Sequence, residues 1–277
     1  VDPAPVERIL TAFLRSETAS AGFSRGVLGL SGGLDSAVVC YLAAKALGPD
    51  NVTAVLMPVE GVSGADSVTH AELVVRKTGV RQLVVDVGAM AGAYLRGVPS
   101  ASALRRGNVY ARCRMIVLYD VSAEAGALVL GTSNKTELLL GYGTLHGDLA
   151  SAINPIGDLY KTHVRQLAEH LGVPEVIRAK PPTADLWSGQ RDEDELGATY
   201  DLLDAALVRL IDDREDPARL VEDGFEAKFV ESLVERIRRN QYKRRMPIIA
   251  KLSRRTIGPD FRLPRDAGLS RDRRLAG

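Results

Sequence analysis

The sequence predicts an α/β fold: a three-layer, open, mostly parallel five-stranded sheet with helices on both faces and a helical C-terminal extension. Three observations carry this prediction. Short runs that are apolar throughout alternate with longer stretches of helical spacing, the pattern of a parallel sheet covered on both sides. A Gly-rich turn, Ser31-Gly32-Gly33-Leu34-Asp35-Ser36, joins the first apolar run to the first helical stretch. After residue 132 the pattern changes to helical stretches joined by turns and a long polar loop.

In chain order, VLGL (27–30) reads as a buried strand and SAVVCYLAAKAL (36–47) as the helix after the turn. VTAVLMP (52–58) is a second strand, GADSVTHAELVVRKTG (64–79) a helix and QLVVDV (82–87) a third strand. VYARCRMIVLYDVSAEAG (109–126) is a long helix leading into the strand ALVLGT (127–132). TSNKTELLLG (132–141) follows as a short helix, then a turn and an amphipathic helix within 153–172, with Gly172 as its C-cap. The loop from Lys180 to Arg191 holds two prolines, Gly189 and the sole tryptophan, Trp187, and is either an active-site segment or a disordered insert. From Asp192 two further helices are expected, separated by an acidic connector at 212–216. The chain reads as a single domain, 1–277, with a core over about 20–175 and the loop and helical part over about 176–277.

Composition narrows the function. Hydrophobic residues make up 45% and charged residues 26%, as in an ordinary soluble protein. Lys and Arg number 36 against 35 acidic residues, so no global field calls for a nucleic acid. The Arg-rich stretch from Arg236 to Arg274 is either a solvated face with a basic tail or a contact for phosphates or a partner subunit. Cys40 and Cys113 lie in apolar helical settings, too few for a disulfide framework or a structural zinc site. No run approaches the ~18 apolar residues of a membrane span, and no signal peptide is apparent, so a cytoplasmic protein is expected.

The chemistry begins at the Gly-rich turn. Gly32 and Gly33 allow a tight turn whose N–H groups face an anion, with the start of the following helix behind them. Ser31 and Ser36 add hydroxyls. Asp35 would repel a phosphate unless Mg2+ lay between them, which points to Mg-ATP. The turn lacks the internal lysine of GxxxxGK[ST] and is not GxGxxG.

A second group, Gly131, Thr132, Asn134, Lys135 and Glu137, follows the fourth strand. The carboxyl ends of parallel strands share one crevice, so it can face the first. Glu137 is then either a second carboxylate for Mg2+ or first-turn charge compensation for its helix. Lys161 lies at the start of a helix, where a cation is poorly placed unless it meets an anion. Thr183 and Asp185 share the polar loop with Lys180. Asn108, Arg112 and Arg114 crowd the start of the long helix; Arg112 could fork onto a phosphate or carboxylate, or form a surface ion pair. Asp148, in GYGTLHGD, could take a proton or hold an amine, or make an Asx turn. The four histidines have no metal-ligand spacing.

SGGLDS resembles the signature of N-type ATP pyrophosphatases, which adenylate a substrate and admit a nitrogen or sulfur nucleophile. The rest of the chain is similar to NAD synthetase of the bacterial type through NVYARCRM (108–115), GTSNKTE (131–137), GYGTLHGDLASAINPIGDLYKT (141–162), KPPTADLWSGQRDEDELG (180–197) and YKRRMP (242–247). The resemblance implies an adenine nucleotide alpha hydrolase-like fold and a homodimer with deamido-NAD bound at the subunit interface. It places ATP on Ser31, Gly32, Gly33, Asp35, Ser36, Met57, Thr132, Lys161 and Thr183, and deamido-NAD on Asn108, Arg112, Asp148, Lys180, Asp185 and Lys243. Mg2+ would meet Asp35 and Glu137, and catalysis would rest on Asp35, Lys161 and Asp148.

Two positions depart from the family pattern. Tyr242 stands where many ammonia-using members have His, and Ala152 where some have Asp. Glutamine-using members carry a large N-terminal amidase domain, whereas about 25 residues precede the first strand here. Direct use of ammonia is therefore expected, rather than a separate glutaminase subunit. The competing readings are a GMP synthetase-like or tRNA-modifying pyrophosphatase and a nucleotide-binding protein without chemistry.

Overall fold

The structure, a computed structural model, describes residues 1–187, 189–245 and 247–257. Helix α1 (Pro3–Ser20) starts with Pro3 in its first turn and the Asp2 carboxylate accepting from the Ala4 N–H. Strands β1 (Gly26–Gly29), β2 (Val52–Leu56), β3 (Arg81–Val84) and β4 (Leu128–Val129) form one parallel sheet in the order β3-β2-β1-β4. The intervening helices are α2 (Leu34–Leu47), α3 (Ala65–Thr78), α4 (Gly88–Leu95) and α5 (Ala103–Ala125).

The pleat divides the core. Leu28, Ala54, Leu56 and Leu130 pack on one side with Leu14 of α1, Val38 and Leu42 of α2, and Val164 and Leu167 of α7 (Lys161–His170). Val27, Val55, Met57 and Val129 face the other side, against Ala91 of α4 and Tyr110 and Val121 of α5. Helix α2 is buried from Ser36 to Ala43 because it lies between the sheet and α1 and α7.

A fifth strand was expected, and four form. After β4, Ala152 N–H donates to Val129 O at 2.9 Å and Gly131 N–H to Ile153 O at 2.7 Å, giving one parallel bridge, Leu130 to Ile153. The chain cannot extend this ladder, because Pro155 has no N–H and the Asn154 side chain turns onto Ser133 O.

The remaining helices are α6 (Lys135–Leu140), α8 (Glu175–Arg178), α9 (Asp192–Leu196), α10 (Tyr200–Leu207), α11 (Pro217–Glu222) and α12 (Ala227–Arg239). The single helix expected from Asp192 is broken at Gly197, whose φ of 78° ends α9, and Thr199 caps α10 through the Leu202 N–H. Gly172, expected as the C-cap of α7, lies one residue beyond it at φ 73°; Leu171 is the C-cap. Helices α6, α10, α11 and α12 share a third core of Leu140, Leu203, Leu207, Leu220, Val230 and Leu233. Residues 258–277, most of the expected basic tail, lie outside the described residues. Among the described residues no helix is long and apolar enough to cross a membrane.

Candidate active site

The carboxyl ends of β1, β2 and β4 open into a cleft of about 940 Å³. Ser31, Gly33, Asp35 and Ser36 line it; Gly32 does not. Gly32 has φ +76°, and a Cβ there would lie 2.1 Å from the Ser67 carbonyl oxygen, so its role is to let the loop seat directly on α3. The loop is braced internally: the Ser31 and Ser36 hydroxyl oxygens are 3.1 Å apart, and the Gly33 N–H donates to Ser31 Oγ at 3.2 Å. Gly33 caps α2 without a side-chain bond, which leaves the helix's positive end toward the cleft.

Behind the loop, the Lys161 ammonium is ion-paired with Asp35. The capping box of α6 sets Glu137 beside them: Asn134 Oδ1 accepts from the Glu137 N–H, and Glu137 Oε2 accepts from the Asn134 N–H. Desolvation and then the Asp35 charge push the Glu137 carboxyl well above the usual range, against the pull of Lys161. Burial draws the Lys161 ammonium down, but Asp35 and Glu137 outweigh it and hold it above the ordinary lysine value.

Helix α7 has no side-chain cap of its own at Tyr160. Its first N–H groups are met from other elements: Lys161 N–H donates to Thr136 Oγ1 at 3.1 Å and Thr162 N–H to Asp204 Oδ2 at 2.8 Å, while the Thr136 hydroxyl donates to Asp204 Oδ1 at 2.5 Å. Lys161 is thus fixed by α6 and α10 together. Asp192, which reads in sequence as one charge of an acidic helix start, is 3% exposed and accepts from the Tyr142 and Tyr200 hydroxyls at 2.9 and 3.2 Å. No local pattern distinguished it from its three acidic neighbours.

Thr144 organises the opposite wall. Its N–H donates to Asp148 Oδ1 and its hydroxyl to Asn108 Oδ1, both at 2.8 Å. Enclosure by the cleft walls raises the Asp148 carboxyl, opposed by the Thr144 N–H. Arg112 is anchored through Nε on Leu145 O at 3.3 Å, and Arg114 on Met57 O at 3.2 Å. Met57, Thr132 and Thr183 also line the cleft.

Three residues expected on the dinucleotide side, Lys180, Asp185 and Lys243, line the cleft and are also held by protein groups. Lys243 lines the cleft, but its ammonium donates to Gly141 O at 2.7 Å and Gly143 O at 2.9 Å, where it caps the end of α6. Asp185 accepts from the Gly64 N–H at 2.9 Å and the Ser67 hydroxyl at 3.2 Å, and Lys180 donates to Ser67 Oγ at 3.0 Å. These bonds pin the 180–191 loop to the start of α3, against which Gly32 also rests.

Asp35, paired with the Lys161 ammonium, and Glu137 beside it have the hard oxygen donors that suit Mg2+. Among the described residues no three acidic, His or Cys side chains gather as a complete metal site, so further ligands would have to come from substrate and water.

The family model for NAD synthase matches residues 6–247. An NH(3)-dependent NAD(+) synthetase of Trichlorobacter lovleyi is 55% identical over 95% of this chain and 96% of its own. Among solved structures, the NMN synthetase of Francisella tularensis has TM-score 0.81 at 30% identity, covering 90% of this chain and 99% of that one. The NH3-dependent NAD synthetase of Campylobacter jejuni has TM-score 0.77 at 32% identity, covering 91% and 100%. The family model and the near full-length relatives agree: the chain belongs to the NAD synthase family.

Proposed function

We propose that the chain converts deamido-NAD to NAD with ATP and ammonia, releasing AMP and pyrophosphate. The observation that carries this is one cleft holding a braced phosphate loop, the Asp35–Lys161–Glu137 centre and, on the opposite wall, Arg112, Asn108 and Asp148, in a chain whose full-length relatives bear that activity.

The nicotinate carboxylate oxygen attacks the α-phosphorus of ATP, and the α–β phosphoanhydride bond breaks. The N–H groups of the loop and the Ser31 and Ser36 hydroxyls bind the phosphates, and Lys161 turns from Asp35 to the departing pyrophosphate. Mg2+ held by Asp35 and Glu137 would neutralise phosphate charge. The resulting acyl adenylate has AMP as a good leaving group. Ammonia attacks the acyl carbon, AMP leaves, and a proton lost from nitrogen passes to Asp148, whose raised affinity for protons suits a base. The 180–191 loop keeps water from the adenylate.

A homodimer is part of the proposal. The edge strand β3 with α4 and α5 exposes Val84, Met90, Tyr94, Leu104, Ile116 and Tyr119, an apolar face that a second copy would cover. We place the reaction in the cytoplasm, where ATP is supplied.

The test is NAD and pyrophosphate release by the purified chain with Mg-ATP, deamido-NAD and either NH4Cl or glutamine. Equal amounts of both products with NH4Cl alone support the proposal; neither product with either donor defeats it. The likeness to an NMN synthetase makes the mononucleotide acid the competing substrate, and a higher kcat/KM for it would reassign the specificity.

A further inference from the structure

We propose that Asn134 is a positioning residue that sets the Asp35 and Glu137 carboxylates relative to each other, a task that asparagine alone among the favoured helix caps can perform. The inference rests on the reading of these carboxylates as the pair that faces a substrate-bound cation.

Asn134 is fully buried. Its Oδ1 accepts from the Glu137 N–H at 3.0 Å, and a backbone N–H can only donate, so the orientation of the amide is fixed by its partner. Nδ2 then faces the other way and donates to Asp35 Oδ1 at 3.3 Å. The Asn134 N–H donates to Glu137 Oε2 at 3.1 Å. One residue therefore binds both carboxylates, while Lys161 takes the second oxygen of Asp35. Its neighbours hold it in place: Ser133 O accepts from Asn154 Nδ2 at 2.9 Å, and the Lys135 N–H donates to Leu159 O at 2.8 Å.

Ser, Thr and Asp cap helices about as well as Asn. Ser and Thr are too short to accept from the Glu137 N–H and still donate to Asp35. Asp has no donor and would add a third negative charge. A cap alone would accept any of the four; the link between the carboxylates requires the amide.

The experiment compares wild type with Asn134→Ser and Asn134→Thr in the full chain. Mn2+ binding is titrated calorimetrically with a non-hydrolysable ATP analogue present, alongside the melting temperature, the KM for deamido-NAD and the Mg2+ dependence of NAD formation. The melting temperature should fall modestly, as for one buried hydrogen bond, and the deamido-NAD KM should stay near wild type, while Mn2+ affinity falls about 10- to 100-fold, the usual effect of removing a partner of a metal ligand. A folded variant that binds Mn2+ as wild type does would overturn the proposal. Should neither variant fold, a crystal structure of wild type with Mg2+ and the analogue decides: Asn134 Nδ2 in hydrogen-bonding contact with Asp35 upholds it, and separation overturns it. Wild type that makes no NAD defeats the functional reading, while its Mn2+ affinity against the variants still judges Asn134.

Discussion

The Lys161 ammonium donates to Asp35 Oδ2 across 126 residues of sequence, joining the first turn of α7 to the first turn of α2. The lysine is buried and the aspartate nearly so, with side chains 5% and 17% exposed. Removing one partner of such a pair leaves charge uncompensated. Lys161→Met should lower unfolding free energy by about 3 kcal/mol in urea denaturation and abolish pyrophosphate release. Asp35→Asn added to it should restore part of the stability and none of the activity. With Asp35→Asn alone measured as well, losses that simply add in the double variant would show that the pair carries no coupling.

Gly32 and Gly33 are adjacent yet bear different demands. Gly32→Ala meets both a positive φ and the Ser67 carbonyl at 2.1 Å, whereas Gly33→Ala meets only Ser31 Oγ at 3.3 Å. Gly32→Ala should displace the loop from α3, with lost ATP binding and a clear drop in melting temperature. Gly33→Ala should melt near wild type and raise the KM for ATP. Equal melting temperatures for the two would contradict the seating of Gly32 on α3.

How much of this was legible in the sequence follows from the range of each interaction. The strand–turn–helix around Ser31 is local, and apolar runs with flanking glycine exposed it. The Asn134–Glu137 capping box is equally local, yet in sequence Glu137 reads only as a metal ligand or a charge compensating its helix dipole, and the box shows itself in the structure. Lys161 announced an anion partner by sitting against its helix dipole, though nothing in its own stretch named Asp35. Asp192 and Asp204 gave no signal: Tyr142 and Thr136 lie 50 and 68 residues away, and Tyr200, 8 residues from Asp192, reads as one more core position of its helix. Lys243 and Asp185 were expected on substrate from the family resemblance, and both line the cleft. The carbonyls and N–H groups that also hold them appear only once the chain is folded.

The link from Thr136 to Lys161 can be cut without changing shape. Thr136→Val removes the hydroxyl that accepts from the Lys161 N–H and donates to Asp204. A buried unsatisfied group costs about 1–3 kcal/mol, so the variant should be less stable by that order. Its kcat should fall more than its KM for deamido-NAD, because Lys161 loses its fixed start on α7. An unchanged kcat would separate the cap of α7 from catalysis.

Asp185 pins the 180–191 loop through the Gly64 N–H and the Ser67 hydroxyl. Asp185→Ala should free residues 180–191, so that limited proteolysis cuts there faster and the KM for ATP rises. Bound ATP should then protect the loop less than in wild type. A loop as resistant as that of wild type would mean that other contacts hold it.

His163 gives the fold a pH dependence whose sign can be worked out. On α7 its ring meets Tyr160 edge-on at 5.5 Å between centroids. Burial pushes its pKa below the ordinary 6.5, with Asp204 opposing. The unfolded chain therefore takes up the proton first as pH falls. The native state's advantage is complete above pH 6.5 and is lost as pH drops toward the folded value. His163→Gln carries no proton in either state and removes this part of the dependence. Melting temperatures measured between about pH 7.5 and about pH 5 should fall less steeply for the variant than for wild type. Parallel curves would place the acid sensitivity of the fold elsewhere.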